Sequence, residues 1–300
     1  MLQQQFKQFL LYLTVEKNAS PFTVASYLAD IENFFEFAKL QGVSEALFDD
    51  INHMFIRTYL GNLKAQGYSQ RTIARRIASL RSFFRFLIRN NVIADNPAKD
   101  IRTPKIEKRP PVYLDYCEIN HLLDLPGSDS LGMRDAAILE LLYASGLRIF
   151  ELIGLTVNDV DLLNHYILVY GQGIKERVIP IGRHAAGAVE RYLGQGRPNL
   201  CKSDQSYISD ILFLNKNGGP LTDRSVRRIV AKYVDRLAGL KNISPQTLRN
   251  TFAAHLLKNG ADLSSIREML GHVSFPAHLL DMDTAKDSLR LVYKHAHPRA

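Results

Sequence analysis

Two arginines and a histidine stand at points where the chain changes direction, and their chemistry suits the binding of a phosphate diester. In SPQTLRNTFAAHLL, Gln246 and Arg249 are three residues apart. They would share one face of a helix near its N-terminus, where unpaired N–H groups and the helix dipole favour an anion. Arg148 follows Ser145-Gly146-Leu147 at the end of an apolar run, and His272 follows Leu270-Gly271 at a helix stop. A guanidinium forks onto two phosphate oxygens, and an imidazole donates a hydrogen bond or a proton. Taken singly, each of these residues is equally a solvated side chain on an ordinary helix. Their company is the signal.

Several elements must position them. Ser244 as N-cap, Pro245 at the first helical position and Gly260 beyond the end predict a helix over 245–259. A further helix, 263–270, closes at Gly271. Residues 132–145, with ILELLYAS, form a helix apolar enough to be buried all round. Asp115 or a neighbour caps a helix holding Ile119, Leu122 and Leu123. HYILVY (165–170) and RVIPIG (177–182) flank a Gly171–Gly173 turn and read as a hairpin, and helices follow at 184–194 and, capped by Thr222, at 223–238.

Residues 1 to about 103 read as four helices, near 3–16, from Pro21 behind a Ser20 cap to Gly42, over 51–66 with Gly67 at its end, and onward from a Ser69 cap. In the last of these, Ile73, Ile77, Leu80, Phe84 and Leu87 make one core stripe. Residues 70–90 also carry Arg71, Arg75, Arg76, Arg81, Arg85 and Arg89 and no acid. Such a segment is either a solvated face or a surface for a polyanion; without a partner its charges repel one another, which favours nucleic acid. TPKIEKRPP, residues 103–111, has three prolines, three basic residues and no periodicity, so it is a linker.

The composition agrees. Three hundred residues with 46% hydrophobic and 23% charged content favour two folded domains and exclude a disordered or fibrous chain. Thirty-eight Lys and Arg against 30 Asp and Glu give +8 and a pI near 9.4, as expected for a polyanionic partner. The opening residues lack the unbroken apolar core of a signal peptide and no stretch reaches 18 apolar residues, so a soluble chain is expected. Cys117 and Cys201 stand far apart without a neighbouring ligand set; a reducing cytoplasm fits, and no metal is implied.

SGLRIFELIGL, GQGIKERVIP, SPQTLRNTFAAHLLKNGADL, MLGH and the terminal AHPRA resemble, in order and spacing, the Xer-type tyrosine recombinases of the phage-integrase superfamily, most closely the XerC branch. The resemblance spans essentially the whole chain. It implies a mainly α fold with a small β-sheet, arranged as a two-domain DNA clamp. Residues 1–103 would be a helical, SAM-like core-binding domain, 104–112 a linker and 113–300 an α+β catalytic-type domain. Implied partners are double-stranded DNA and a second Xer-type protomer, in a tetramer on DNA, in the setting of chromosome dimer resolution before cell division. The family reaction needs no cofactor: a tyrosine attacks the phosphodiester, two arginines bind its oxygens, and a general acid and base move protons.

Carried over residue by residue, Arg148, Arg249 and His272 are retained. Three other positions of the family pattern are substituted. Gln172 stands where the family has lysine between two glycines, Gln246 replaces a histidine, and Asp281 occupies the place of the nucleophilic tyrosine. An amide donates a hydrogen bond but cannot deliver a proton. Tyr293 is either a displaced nucleophile or the packing tyrosine that the family tail normally carries, and Lys175 is an available substitute acid. The chain is therefore expected to bind DNA while being catalytically impaired; the alternative is an active recombinase using Tyr293, Lys175 or groups from a partner. Basic residues expected on DNA are Arg71, Arg75, Arg76, Arg81 and Arg85 on one side and Arg224, Arg227, Arg228 and Lys232 on the other. The tail 284–300 is expected to dock on a neighbouring protomer, because Leu289, Leu291 and Val292 are apolar among Lys286, Arg290 and Lys294.

Overall fold

The computed structural model describes residues 2–43, 50–106, 110–170, 176–201, 210–237, 239, 243–271 and 282–300, with side chains from residue 4 and, in the last segment, from 287. Gln172, Lys175, His272 and Asp281 lie outside the described residues. The chain divides into two compact units, Met1–Arg109 and Pro110–Ala300. It is mainly helical with one small antiparallel sheet. No helix among the described residues is long and apolar enough to cross a membrane.

The first unit holds α1 (Leu2–Leu11), continued by a wider π turn at Tyr12–Glu16, then α2 (Pro21–Leu40), α3 (His53–Ala65) and α4 (Gln70–Arg89). The Ser20 and Ser69 hydroxyls and the Asn52 carboxamide oxygen accept from backbone N–H groups at the helix starts, satisfying donors that the first turn leaves orphaned. Gly42 and Gly67, at φ +78° and +79°, take the left-handed conformation that ends α2 and α3. Phe9, Ile31, Phe34, Tyr59, Ile77, Leu80, Phe83 and Phe84 form its core. Phe34 and Tyr59 meet edge to face at 5.0 Å.

Two of the arginines expected on a DNA face are engaged by groups of their own unit. Arg76 is buried; it bonds the Asn33 side chain, reaches the Tyr59 hydroxyl at 2.9 Å, pairs with Asp30 at 3.6 Å and lies over the Tyr68 ring. Arg81 donates to the carbonyls of Ala98 (3.0 Å) and Ile101 and to the Thr103 hydroxyl (3.1 Å), bracing the segment that leaves the unit. Both are held there because carbonyls and carboxylates that lose water need donors. Arg75 pairs with Asp30 at 2.6 Å and Arg89 with Glu16 at 2.6 Å, while Arg71 and Arg85 are exposed.

The second unit runs α5 (Tyr116–Leu123), α6 (Ser130–Ser145), α7 (Ile149–Gly154), β1 (Val160–Asp161), β2 (Tyr166–Tyr170), β3 (Glu176–Pro180), α8 (Arg183–Arg191), a π turn, α9 (Arg197–Leu200), α10 (Asp223–Val234), α11 (Pro245–Lys258), α12 (Leu263–Met269) and α13 (Met282–Ala296). Strand order is β1-β2-β3, antiparallel throughout, with Ile167 opposite Ile179. Helix α6 is buried on nearly every side, as its composition requires, and ends at Gly146 in the left-handed region. Short α7 and two-residue β1 have no periodic signature and are features that the sequence reading lacked.

The last described residues of the tail pack on their own unit. Leu289, Tyr293 and Ala296 join the core, and Leu291 alone of the expected docking trio is exposed. Arg299 pairs with Glu140 of α6 at 2.5 Å, and the Asn259 amide donates to the Ala296 carbonyl at 2.7 Å. The Tyr293 ring stacks on His297 at 4.6 Å.

Candidate functional site

Residues of three elements, α7, β3 and α11, converge on one buried carboxylate. Arg148 is the N-cap of α7, and Glu151, three residues later, turns back so that one carboxylate oxygen accepts from the Arg148 backbone N–H at 2.7 Å. The other oxygen accepts from Arg148 Nη1 at 3.1 Å. From β3, Arg177 forks onto both Glu151 oxygens at 2.8 and 3.0 Å and donates through Nε to the Met269 carbonyl at 2.8 Å. From α11, Arg249 comes within 4.0 Å of the same carboxylate. Glu151 has no side-chain exposure, and the three guanidiniums grade outward: Arg249 5%, Arg177 11% and Arg148 35%.

Arg249 is held by backbone. It donates to the Gly146 carbonyl, at the left-handed end of α6, and to the Leu270 carbonyl at 2.6 Å. Gly146 is required here: its φ is +58°, and a Cβ would lie 2.6 Å from the Phe252 ring. Arg148 Nη2 lies 3.4 Å from the Gly271 carbonyl, the last described residue before His272. The retained arginines thus meet at the junction of α6, α7, α11 and α12.

Three cations around one anion leave a net positive site. Burial alone would raise the Glu151 pKa, but the hydrogen bonds and charge of Arg177, with the Arg148 N–H, hold it below the ordinary 4.5. Burial, then the like charges of Arg148 and Arg177, pull Arg249 down to about 10 against the attraction of Glu151; it stays charged at neutral pH. The arrangement suits a phosphate, whose oxygens would engage the outward guanidinium of Arg148 over an already cationic floor.

Gln246, three residues before Arg249, differs from it in burial. It is exposed, with Nε2 donating to the Asn250 side chain at 3.1 Å, whereas Arg249 turns inward. Tyr293 is placed against the nucleophile reading: it is buried, and its hydroxyl accepts from the Gly182 N–H at 3.1 Å. Burial raises its pKa well above 10, the opposite of an activated phenol. On α10, Arg224 and Arg228 are exposed; Arg227 pairs with Asp223 at 2.5 Å, and Lys232 reaches Asp135 at 3.2 Å.

Sequence reasoning missed Glu151 and Arg177. A lone acid inside IFELIGL was the available clue, because an ionised carboxylate in an apolar turn needs a cation. Nothing local points to Arg177.

Comparison with known proteins covers both units. The phage integrase family model matches residues 113–276, and the model of the phage integrase N-terminal SAM-like domain matches residues 6–91. The chain is 42% identical over 299 residues to tyrosine recombinase XerC of Halalkalibacterium halodurans, covering 99% of this chain and 98% of that protein. It is 41% identical over 296 residues to tyrosine recombinase XerC of Bacillus subtilis, covering 98% and 96%. Among solved structures, the Tn1549 transposon integrase in complex with circular intermediate DNA aligns at TM-score 0.69 and 22% identity, over 96% of this chain and 98% of that one. The XerH recombinase bound to difH substrate aligns at TM-score 0.65 and 20% identity, over 97% and 81%. At those identities the two structures speak for the fold alone.

Proposed function

Because this chain belongs to the phage integrase family, as a XerC-like tyrosine recombinase of DNA recombination, we propose that it binds duplex DNA site-specifically and holds one phosphodiester without cleaving it. The observation that carries this reading is the cluster of Arg148, Arg177 and Arg249 on Glu151, a cationic floor with one outward guanidinium. Chemistry downstream of phosphate binding lacks its groups. Losing a general acid or base typically lowers rate by about 10²–10⁴, and Gln172 and Gln246 stand at two such places. Losing the nucleophile removes the pathway, since a carboxylate such as that of Asp281 would have to attack as an anion on an anionic diester and would give a hydrolysable acyl phosphate. Tyr293, the tyrosine of the tail, has its hydroxyl inside the core.

In this reading the chain is a DNA-binding or architectural partner, paired with a second Xer-type protomer in a tetramer on a short imperfect palindrome. Its cellular setting is the cytoplasm, in chromosome dimer resolution before cell division. XerH, which shares the fold, is solved bound to its difH substrate.

A nicked suicide substrate, which traps a covalent intermediate by losing the religating strand, tests the proposal. We expect retarded DNA and no DNA-linked protein band. A covalent band abolished by Tyr293→Phe would establish the active alternative.

A further inference from the structure

Arg177 belongs to neither the retained pattern nor the solvent-facing cations, yet each of its three guanidinium nitrogens has a partner. Resting on the phosphate-holding reading above, we propose that Arg177 is a positioning residue, which sets the geometry of the phosphate-binding arginines through Glu151 without touching the phosphate.

The argument is one of competition for a single carboxylate. Glu151 is fully buried, so its charge must be matched nearby. Three guanidiniums surround it, and whichever one forks onto it is lost to an incoming phosphate. Arg177 takes that fork, with two parallel bonds of 2.8 and 3.0 Å. Arg148 gives the carboxylate one side-chain bond, at 3.1 Å, and Arg249 stays at 4.0 Å. The third nitrogen of Arg177 ties β3 to the end of α12 through the Met269 carbonyl, and its guanidinium lies where a Cβ on Gly271 would be 3.1 Å away. One planar side chain therefore joins β3, α7 and α12, and leaves Arg148 turned outward. A lysine has the charge but not the planar fork, and it cannot span both carboxylate oxygens and the Met269 carbonyl together.

Without that fork, Glu151 would draw Arg148 or Arg249 onto itself. The chain would keep its charge count and lose phosphate affinity. This outcome separates positioning from simple electrostatics.

The test uses the full chain and inorganic phosphate as probe, followed through the arginine Nε–H resonances in NMR. Wild type is expected to show saturable shifts at Arg148 that Arg148→Ala removes. In folded protein Arg177→Lys is expected to weaken phosphate binding by about tenfold, because the planar fork is lost while the charge is kept. In a Glu151→Gln background the same Arg177→Lys change should have no further effect, since the group through which it acts is gone. Should Arg177→Lys fail to fold, Glu151→Asp draws the carboxylate back from the fork and is expected to give the same loss. Full phosphate affinity in Arg177→Lys, or an equal loss with and without Glu151, overturns the proposal. Absence of any phosphate response in wild type overturns the underlying reading instead.

Discussion

Arginine is the residue on which both units of this protein turn, and its role is decided by what lies within 4 Å rather than by its charge. Arg76 and Arg85 sit on the same helix nine positions apart; one is buried among Asp30, Asn33 and Tyr59, the other faces water. Burial pushes the Asp30 carboxyl up while Arg75 and Arg76 pull it down, so the carboxylate depends on both cations. Arg76→Ala strips one of them and orphans a buried oxygen. It is expected to cost about 3 kcal/mol in urea denaturation, whereas Arg85→Ala should change stability by less than about 0.5 kcal/mol.

At the scale of elements, the tail helix α13 and the residues after it are fastened by an unusual core of rings. Tyr143 lies 4.9 Å from His297, Tyr293 stacks on the other side, and the Tyr143 hydroxyl meets His255 Nδ1 at 2.9 Å. Burial, foremost, lowers His297 to about 3 from an ordinary 6.5, with His255 and Arg299 adding repulsion against a raising backbone bond near Tyr143. Glu140, across from Arg299, is pushed up by burial, and His255 is lowered for the same reason. Between pH 6.5 and about 3 the unfolded chain takes up a proton that folded His297 refuses, so stability falls as pH drops through that window. His297→Phe keeps the ring against Tyr293 and removes the titration. Chemical denaturation at pH 7 and pH 5 should show a pH-dependent loss smaller than wild type by about 2 kcal/mol; an equal loss would place the acid sensitivity elsewhere.

Across the whole molecule, basic charge sorts into an interior set and an exterior set, and only the exterior set can release counterions from DNA. Arg71 and Arg85 in the first unit and Arg224 and Arg228 in the second are exposed. If these meet phosphates in the proposed complex, each Arg→Ala change lowers the slope of log affinity against log salt by about 1. Arg81→Ala should leave that slope alone and lower stability, because its guanidinium braces the Ala98 and Ile101 carbonyls. Fluorescence anisotropy on a duplex across a salt series reads both, and a slope unmoved by all four exterior changes would put the contacts on other residues.

What the sequence by itself determined is everything set within a turn or two of chain. Ser20, Ser69, Asp115, Thr222 and Ser244 cap the helices at which they were placed, because a cap bonds a backbone N–H three residues on. The stripe Ile73, Ile77, Leu80, Phe84 and Leu87 is buried because its period is that of the helix. The resemblance named the family and singled out Arg148 and Arg249, which the structure brings together around Glu151. Which arginine faces a phosphate, which holds a carbonyl and which serves a carboxylate was decided only in three dimensions. Arg249 meets carbonyls 103 and 21 residues away, Arg177 meets a carboxylate 26 residues away, and Tyr293 meets an N–H 111 residues away. A buried donor goes to whatever acceptor the packed core leaves unsatisfied, and that acceptor is settled by the meeting of distant elements, so no local spacing encodes it.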